Sequence, residues 1–297
     1  MMKITAVIVF CIALILWVTF FFDKKILMEE TKITVTSHKE ISKNQERTPR
    51  IERFPRDVKI SQKNVSQIST NDKWWLSAGG YVYFEDGTGH TLIGDLSPND
   101  PRHVHYKQSG KSSVEYGRRP QNIFRLVHRG LWQDYDQQTY FKIDYYSDTD
   151  DMQRNKSNGV FHFNRYIDSD NVYYTGLRVD GNVVIKKKKN GTYHTLFIEP
   201  YSTEKFNKDQ NRNLLPKNEW FGLKSTLRNI DDRSVEISVF VDWDNDGIWE
   251  LLGSAVDGGR KYGGDAFRDA SHTGIRTDFM DAHFSKYEIS EKPNTPM

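Results

Sequence analysis

The run Tyr173–Thr195, YYTGLRVDGNVVIKKKKNGTYHT, limits what this chain can fold into more than any other segment. Aromatic, Val and Ile residues alternate with polar ones, and Asp180-Gly181 and Asn190-Gly191 interrupt them. Asp-Gly and Asn-Gly tolerate the positive φ that both central positions of a type I′ turn require, so each pair predicts a two-residue hairpin loop. Three strands joined this way form an antiparallel meander whose two faces follow from residue parity. Such a decorated sheet is a platform for sugars more readily than for nucleotides, and its outward side chains are where function is to be sought.

The same grammar continues on both sides. From Trp74 to Ile289 there is no convincing amphipathic helix. Short β-rich runs recur instead between Gly, Asn and Asp residues, among them Tyr81–Glu85, Ile123–His128, Thr139–Tyr146, Gly159–Tyr166, Trp220–Leu227, Val235–Val241 and Phe279–Ile289. The spacing predicts an all-β fold, a two-sheet antiparallel β-sandwich or jelly roll. Roughly 200–250 residues is an ordinary size for one such domain, and the chain has 297 with 37% hydrophobic residues. The stretches 87–122, 147–158 and 200–218 exceed the usual connection length, which points to functional loops.

Ile4–Phe22 carries no charge. At ~1.5 Å per residue a helix of that length covers most of a ~30 Å hydrocarbon core. It ends in Thr19-Phe20-Phe21-Phe22 without a small-x-small cleavage site, which favours an uncleaved signal anchor over residues 1–22. Residues 23–71 are polar, with Lys and Arg at short intervals and few aromatics, and predict a basic disordered linker. The sandwich is expected over 72–290 and a flexible tail over 291–297. Together these segments predict a single-pass membrane protein with its domain outside the cytoplasm, in keeping with sequons at Asn64, Asn155 and Asn190. The only cysteine, Cys11, lies in the apolar run, so the folded part has neither a disulfide framework nor thiol chemistry. A net charge of +2 gives no case for nucleic acid. Phosphate loops, HExxH and GxSxG are absent.

Alternation assigns faces. Along 140–146, Tyr140, Lys142, Asp144 and Tyr146 oppose Phe141, Ile143 and Tyr145. Along 160–166, Phe161 and Phe163 are expected inward, with His162, Asn164 and Tyr166 outward. In the meander Tyr174 and Arg178 oppose Tyr173, Thr175, Leu177 and Val179, and Lys186, Lys188 and His194 continue the polar set. If these strands are neighbours, one face gathers Tyr140, Lys142, His162, Asn164, Tyr166, Tyr174, Arg178, Lys186 and His194. That composition describes either a wet outer sheet or a saccharide cleft in which rings stack on sugars while cations and amides bind hydroxyls and carboxylates.

Asp242, Asp244 and Asp246 precede Gly247 at alternate positions, like the first half of a calcium loop. The twelfth position holds Gly253 in place of a bidentate Glu, and a plain hairpin turn explains the same residues.

The C-terminal block Gly274-Ile275-Arg276-Thr277-Asp278-Phe279-Met280-Asp281-Ala282-His283-Phe284 resembles the closing strand of concanavalin A-like lectin/glucanase domains. Tyr83-Phe84-Glu85-Asp86-Gly87 resembles the matching first strand. With Asn158–Phe161 and the meander, the resemblance spans about Trp74 to Ser290. It implies a jelly roll and a structural calcium between first and last strands, which would fall to Asp86 and Asp281, with Asp278 as a third. The alternating acidic residues of the glucanase members are missing: Glu236 is followed by Ser238 and Phe240, so retaining glycoside hydrolysis is disfavoured. The expected function is lectin-like binding of polysaccharide, acidic glycans foremost. A polysaccharide lyase using Tyr or His with an Arg or Asn neutraliser and a structural cell-surface module are the alternatives.

Overall fold

The computed structural model describes residues 49–62 and 71–292. The first strands are β1 (Ile51–Arg53), β2 (Val58–Ser61), β3 (Trp74–Ala78), β4 (Tyr81–Glu85) and β5 (Thr88–Thr91). A short helix, α1 (Pro101–Gln108), follows, then β6 (Ile123–Trp132), β7 (Tyr135–Tyr146), β8 (Gly159–Asp168) and β9 (Asn171–Arg178). Next come β10 (Asn182–Lys189), β11 (Thr192–Pro200), β12 (Trp220–Asn229) and β13 (Val235–Asp242). The last three are β14 (Glu250–Asp257), β15 (Ser271–Asp278) and β16 (Met280–Glu291).

These strands form two antiparallel sheets, as the alternation predicts. The nine-stranded sheet runs β14-β13-β12-β7-β16-β5-β4-β2, with β1 also paired to β16. The seven-stranded sheet runs β11-β10-β9-β8-β15-β6-β3. Between them lies the core, with Phe141, Phe221, Leu223 and Ile237 from the first sheet against Val160, Tyr173, Leu177 and Ile185 from the second. Strand β13 shows why the pattern works: Val235, Ile237, Val239 and Val241 are all fully buried, while Glu236, Ser238 and Phe240 are not. Each such aliphatic contributes roughly 1.5–3 kcal/mol on burial.

Several expectations need correction. Strands β1 and β2 lie inside the stretch expected to be linker. Phe54 between them is buried against Phe84 (4.8 Å between ring centroids) and Tyr287 (4.7 Å), so neighbours supply the apolar surface that the segment itself lacks. The expected anchor over 1–22, the linker up to 48 and the tail from 293 lie outside the described residues. Among the described residues no helix is long and apolar enough to cross a membrane. The long loop 87–122 contains α1, which begins at Asp100-Pro101; the Asp100 carboxylate accepts from the Arg102 amide at 2.8 Å, a regular N-cap.

The two hairpins of the opening segment differ. Asn190 (φ 48°) and Gly191 (φ 81°) both have positive φ and join Lys189 to Thr192, a two-residue loop as expected. At the other, only Gly181 has positive φ, and residues 179–181 make a longer turn closed by the Gly181 amide donating to the Arg178 carbonyl at 3.1 Å. The block Gly274–Phe284 is two strands in two sheets, broken at Phe279, whose φ is 57°. The first and last strands of the resemblance, β4 and β16, do share a sheet, with β5 between them.

Candidate functional site

The candidate site lies on the outer face of the seven-stranded sheet. Trp75, Val127, Phe161, Phe163, Tyr166, Val172, Tyr174 and Val184 form a second apolar cluster there, distinct from the core. Aromatic rings that a sandwich would ordinarily bury between its sheets thus cover an outer surface. At the β8–β10 end this surface sinks into a cleft of about 400 Å³. Phe161, Tyr174 and Val184 contribute apolar surface to it. Arg178, Lys186, Tyr193 and Arg276 add charged and phenolic groups, and loop 147–158 contributes Gln153, Asn155, Ser157 and Asn158. Gly176 makes the floor possible, since a Cβ there would come within 2.8 Å of the Phe161 ring and 2.1 Å of the Val160 carbonyl oxygen.

Charge is concentrated here. The Arg276 guanidinium lies 5.4 Å from the Tyr174 ring centroid and 5.9 Å from that of Phe161, within cation–π range. Its Nε donates to Asp278 at 2.8 Å. Burial opposes its charge, but Asp278 and the two phenols outweigh burial and hold its pKa above the ordinary value. Arg178 is buried, with its pKa lowered by that burial against the pull of Asp180 at 2.6 Å. Burial also lowers Lys186, and repulsion from Arg178 adds to it. No carboxylate pairs with Lys186 among the described residues. An ammonium held against apolar surface without a counter-ion gains from any anion that reaches it.

Three of the nine predicted ligand residues, Tyr174, Arg178 and Lys186, therefore meet in the cleft. The other six do not. Tyr140 and Lys142 sit on the outer face of the opposite sheet, because loop 147–158 carries the chain from one sheet to the other and β7 is not a neighbour of β8. Tyr140 there donates to Asp242 at 2.5 Å, and Lys142 lies 3.5 Å from Asp144. Strand β8 has the opposite phase to that expected. His162 and Asn164 point between the sheets, fully buried, while Phe161 and Phe163 point out. Internal hydroxyls explain the inversion: His162 meets Ser225 at 2.8 Å and Thr139 at 3.2 Å, and Asn164 donates to Thr175 at 2.9 Å. Tyr166 does face outward, but it stacks on Phe163 (5.2 Å) away from the cleft.

His194 is on the wrong face for an arithmetical reason. A two-residue loop pairs residue numbers of opposite parity, so Lys188 pairs with Tyr193 and Lys187 with His194. His194 instead lies against Gly263, where an added Cβ would be 2.4 Å from its Nε2. The residue missed on the cleft face is Tyr193, its ring 5.8 Å from that of Tyr174. Counting through the Asn190-Gly191 loop would have found it. Arg276 was also missed, though its block was singled out, because strand partners cannot be read from one sequence.

The residues proposed for calcium do not fit a cation cage. Asp281 accepts from Arg119 (2.6 Å), Gln121 (3.0 Å) and the Gly94 amide (2.9 Å), so its charge is already matched. Asp86 is exposed and pairs with Arg56 at 2.8 Å. It also sits at the turn end of β5, beyond Gly89, whereas Asp281 lies toward the other end, past the His90–His283 pair. In the 242–247 turn Asp242 accepts from Tyr140 and from the Asp246 (3.2 Å) and Gly247 (2.8 Å) amides, while Asp246 accepts from the Ile248 amide at 2.8 Å. That is a hairpin closing on itself. Among the described residues no group of three His, Cys, Asp or Glu side chains, Asp244 and Asp278 included, converges as a metal site.

No family model matches the chain, and no curated protein matches it. Solved structures similar to it include the carbohydrate-binding module CBM66 from Bacillus subtilis, 14% identical with a TM-score of 0.37, over 56% of this chain and 81% of that one. A GH43 protein from Bacillus licheniformis is 11% identical with a TM-score of 0.44, over 82% of this chain and 39% of that one. The exoplasmic/lumenal domain of VIP36 is 9% identical with a TM-score of 0.41, over 80% of this chain and 91% of that one.

Proposed function

We propose that this protein binds glycans in the cleft of the seven-stranded sheet and prefers acidic ones. The observation that carries the proposal is the convergence of Tyr174, Tyr193, Arg178, Lys186 and Arg276 on one cleft that no carboxylate lines. Tyrosine rings offer an apolar face to a pyranose and a hydroxyl to its rim. Guanidinium and ammonium groups pair with uronate or sulfate, and the side-chain amides of Gln153 and Asn158 suit hydroxyls. In the same reading Ile4–Phe22 anchors the domain outside the cytoplasm. Retention of the full-length protein in the membrane pellet after an alkaline wash checks that part, and its release would remove it.

Affinity electrophoresis of the full-length protein in gels of polygalacturonate and of a neutral glucan tests the binding. Retardation is expected in the acidic gel. Tyr174→Ala should weaken it about tenfold, the loss of roughly one aromatic contact, and Lys186→Ala should reduce its salt dependence. Equal retardation in both gels would remove the acidic preference. No retardation in either would leave a structural module.

One observation favours β-elimination as a second reading. Burial is the largest influence on Tyr193 and would raise it, but the Arg276 charge, hydrogen bonding with Tyr174 and Arg276 and the Lys188 charge together hold the phenol below the ordinary tyrosine value, while burial raises Tyr174. A phenol pair split in this way could serve as base and acid. A rise in ultraviolet absorbance from unsaturated uronate on mixing with polygalacturonate is the outcome that would establish it.

A further inference from the structure

The outer face of the seven-stranded sheet holds a second cavity, of about 570 Å³, on the far side of Arg276 from the cleft. Gln62, Ser77, His105, Tyr106, Lys111 and Arg125 are among its lining residues, and like the cleft it is lined by no carboxylate. Arg125 on β6 is the direct register partner of Arg276 on β15. Two guanidinium groups thus rise side by side from adjacent strands, an arrangement of like charges that destabilises a sheet unless something compensates it.

Arg276 is compensated and Arg125 is not. Asp278 takes the Nε of Arg276 at 2.8 Å. Arg125 makes no ion pair or hydrogen bond among the described residues, and its Nε is buried without a partner. A buried, unpartnered donor on a permanently charged group is a standing cost. It is removed when an oxyanion arrives, and a planar guanidinium suits a planar carboxylate. Arg125 belongs to β6 and Tyr174 to β9, with β15 and β8 between them. Three strand spacings of ~4.8 Å and an offset of two residues along β9, ~6.8 Å, separate the two positions by about 16 Å.

We infer that Arg125 is a second anion subsite, holding a uronate carboxylate of a glycan chain that runs across the strands from the cleft. The inference rests on the glycan-binding reading and adds to it that the ligand is the interior of an extended acidic chain. A terminal sugar could not reach both positions.

The test is calorimetric titration of the full-length protein with galacturonate oligomers from dimer to octamer. Wild-type affinity should rise with length. Arg125→Gln should bind the dimer as the wild type does and the octamer about tenfold more weakly, with a melting temperature no lower than that of the wild type showing that it folds. Tyr174→Ala should weaken every length. If Arg125→Gln matches wild type at all lengths, the second subsite is wrong and the cleft stands. If wild type binds no oligomer, the glycan reading itself fails and this inference falls with it.

Discussion

Replacing Asp257 by alanine is expected to destabilise the domain by about 3–5 kcal/mol, the range for breaking a buried ion pair from one side. Lys187 on β10 points between the sheets, and its ammonium has three acceptors for its three protons. These are Asp257 at 2.8 Å and the carbonyls of Gly264 (2.7 Å) and Asp265 (2.8 Å). Lys187 and Asp257 have no exposed side-chain surface. Asp257 also accepts from the Tyr173 hydroxyl at 2.5 Å and the Gly259 amide at 2.9 Å, and Tyr173 in turn accepts from the Phe267 amide at 3.0 Å. The alanine variant leaves a buried cation with only carbonyl partners and a phenol without its acceptor. Urea unfolding at neutral pH measures the loss. Lys187→Met combined with Asp257→Leu should recover much of it, because the double change removes both charges together. A single variant as stable as wild type would show that the pair is dispensable.

The second large effect is acid lability. Burial pushes His162 down to about 3, with no charged neighbour contributing, and pushes His128 down to about 4. Both lie below the ordinary value near 6.5, so the unfolded chain takes up protons that the folded one refuses. Their contribution is fully present above pH 6.5 and is lost as pH falls toward the folded values. At ~1.4 kcal/mol per pH unit per group, the two together should cost about 4 kcal/mol between pH 6.5 and 4.5. Unfolding free energies across that window check the slope, and His162→Gln should flatten it by about half. A stability independent of pH there would mean that the imidazoles are not sealed.

Much of the fold is legible because β-strands have a two-residue period and turns have chemical signatures. The run Tyr81–Glu85 coincides with β4, and Val235–Val241 lies within β13. What cannot be read locally is which sheet a strand joins. Tyr140 and Tyr174 sit on outer faces of different sheets because one twelve-residue loop crosses between them. Nor does polarity by itself give direction. The β8 phase depends on hydroxyls of β7, β9 and β12 that meet His162 and Asn164 inside the sandwich. Tyr174, Arg178 and Lys186 were readable because the β9–β10 register is unbroken from Val183 to Lys188, whereas the two-residue hairpin after Lys189 reverses the parity that led to His194.

Strand β1 also has a mechanical meaning. Residues 51–53 pair with 290–288 of β16, so tension entering at Pro49 is received by the last strand of the nine-stranded sheet. Three register pairs, the Glu291 amide donating to the Arg50 carbonyl at 2.9 Å and the Lys73–Glu52 pair at 2.9 Å resist peeling, and behind them Phe54 is wedged among Trp74, Phe84 and Tyr287. The cleft belongs to the other sheet. A pull entering at Pro49 would load β16 and, through Arg50 on Trp132 and Phe54 on Trp74, the β6–β3 edge of the other sheet, at the opposite edge from the strands β9–β11 that carry Tyr174, Lys186 and Tyr193.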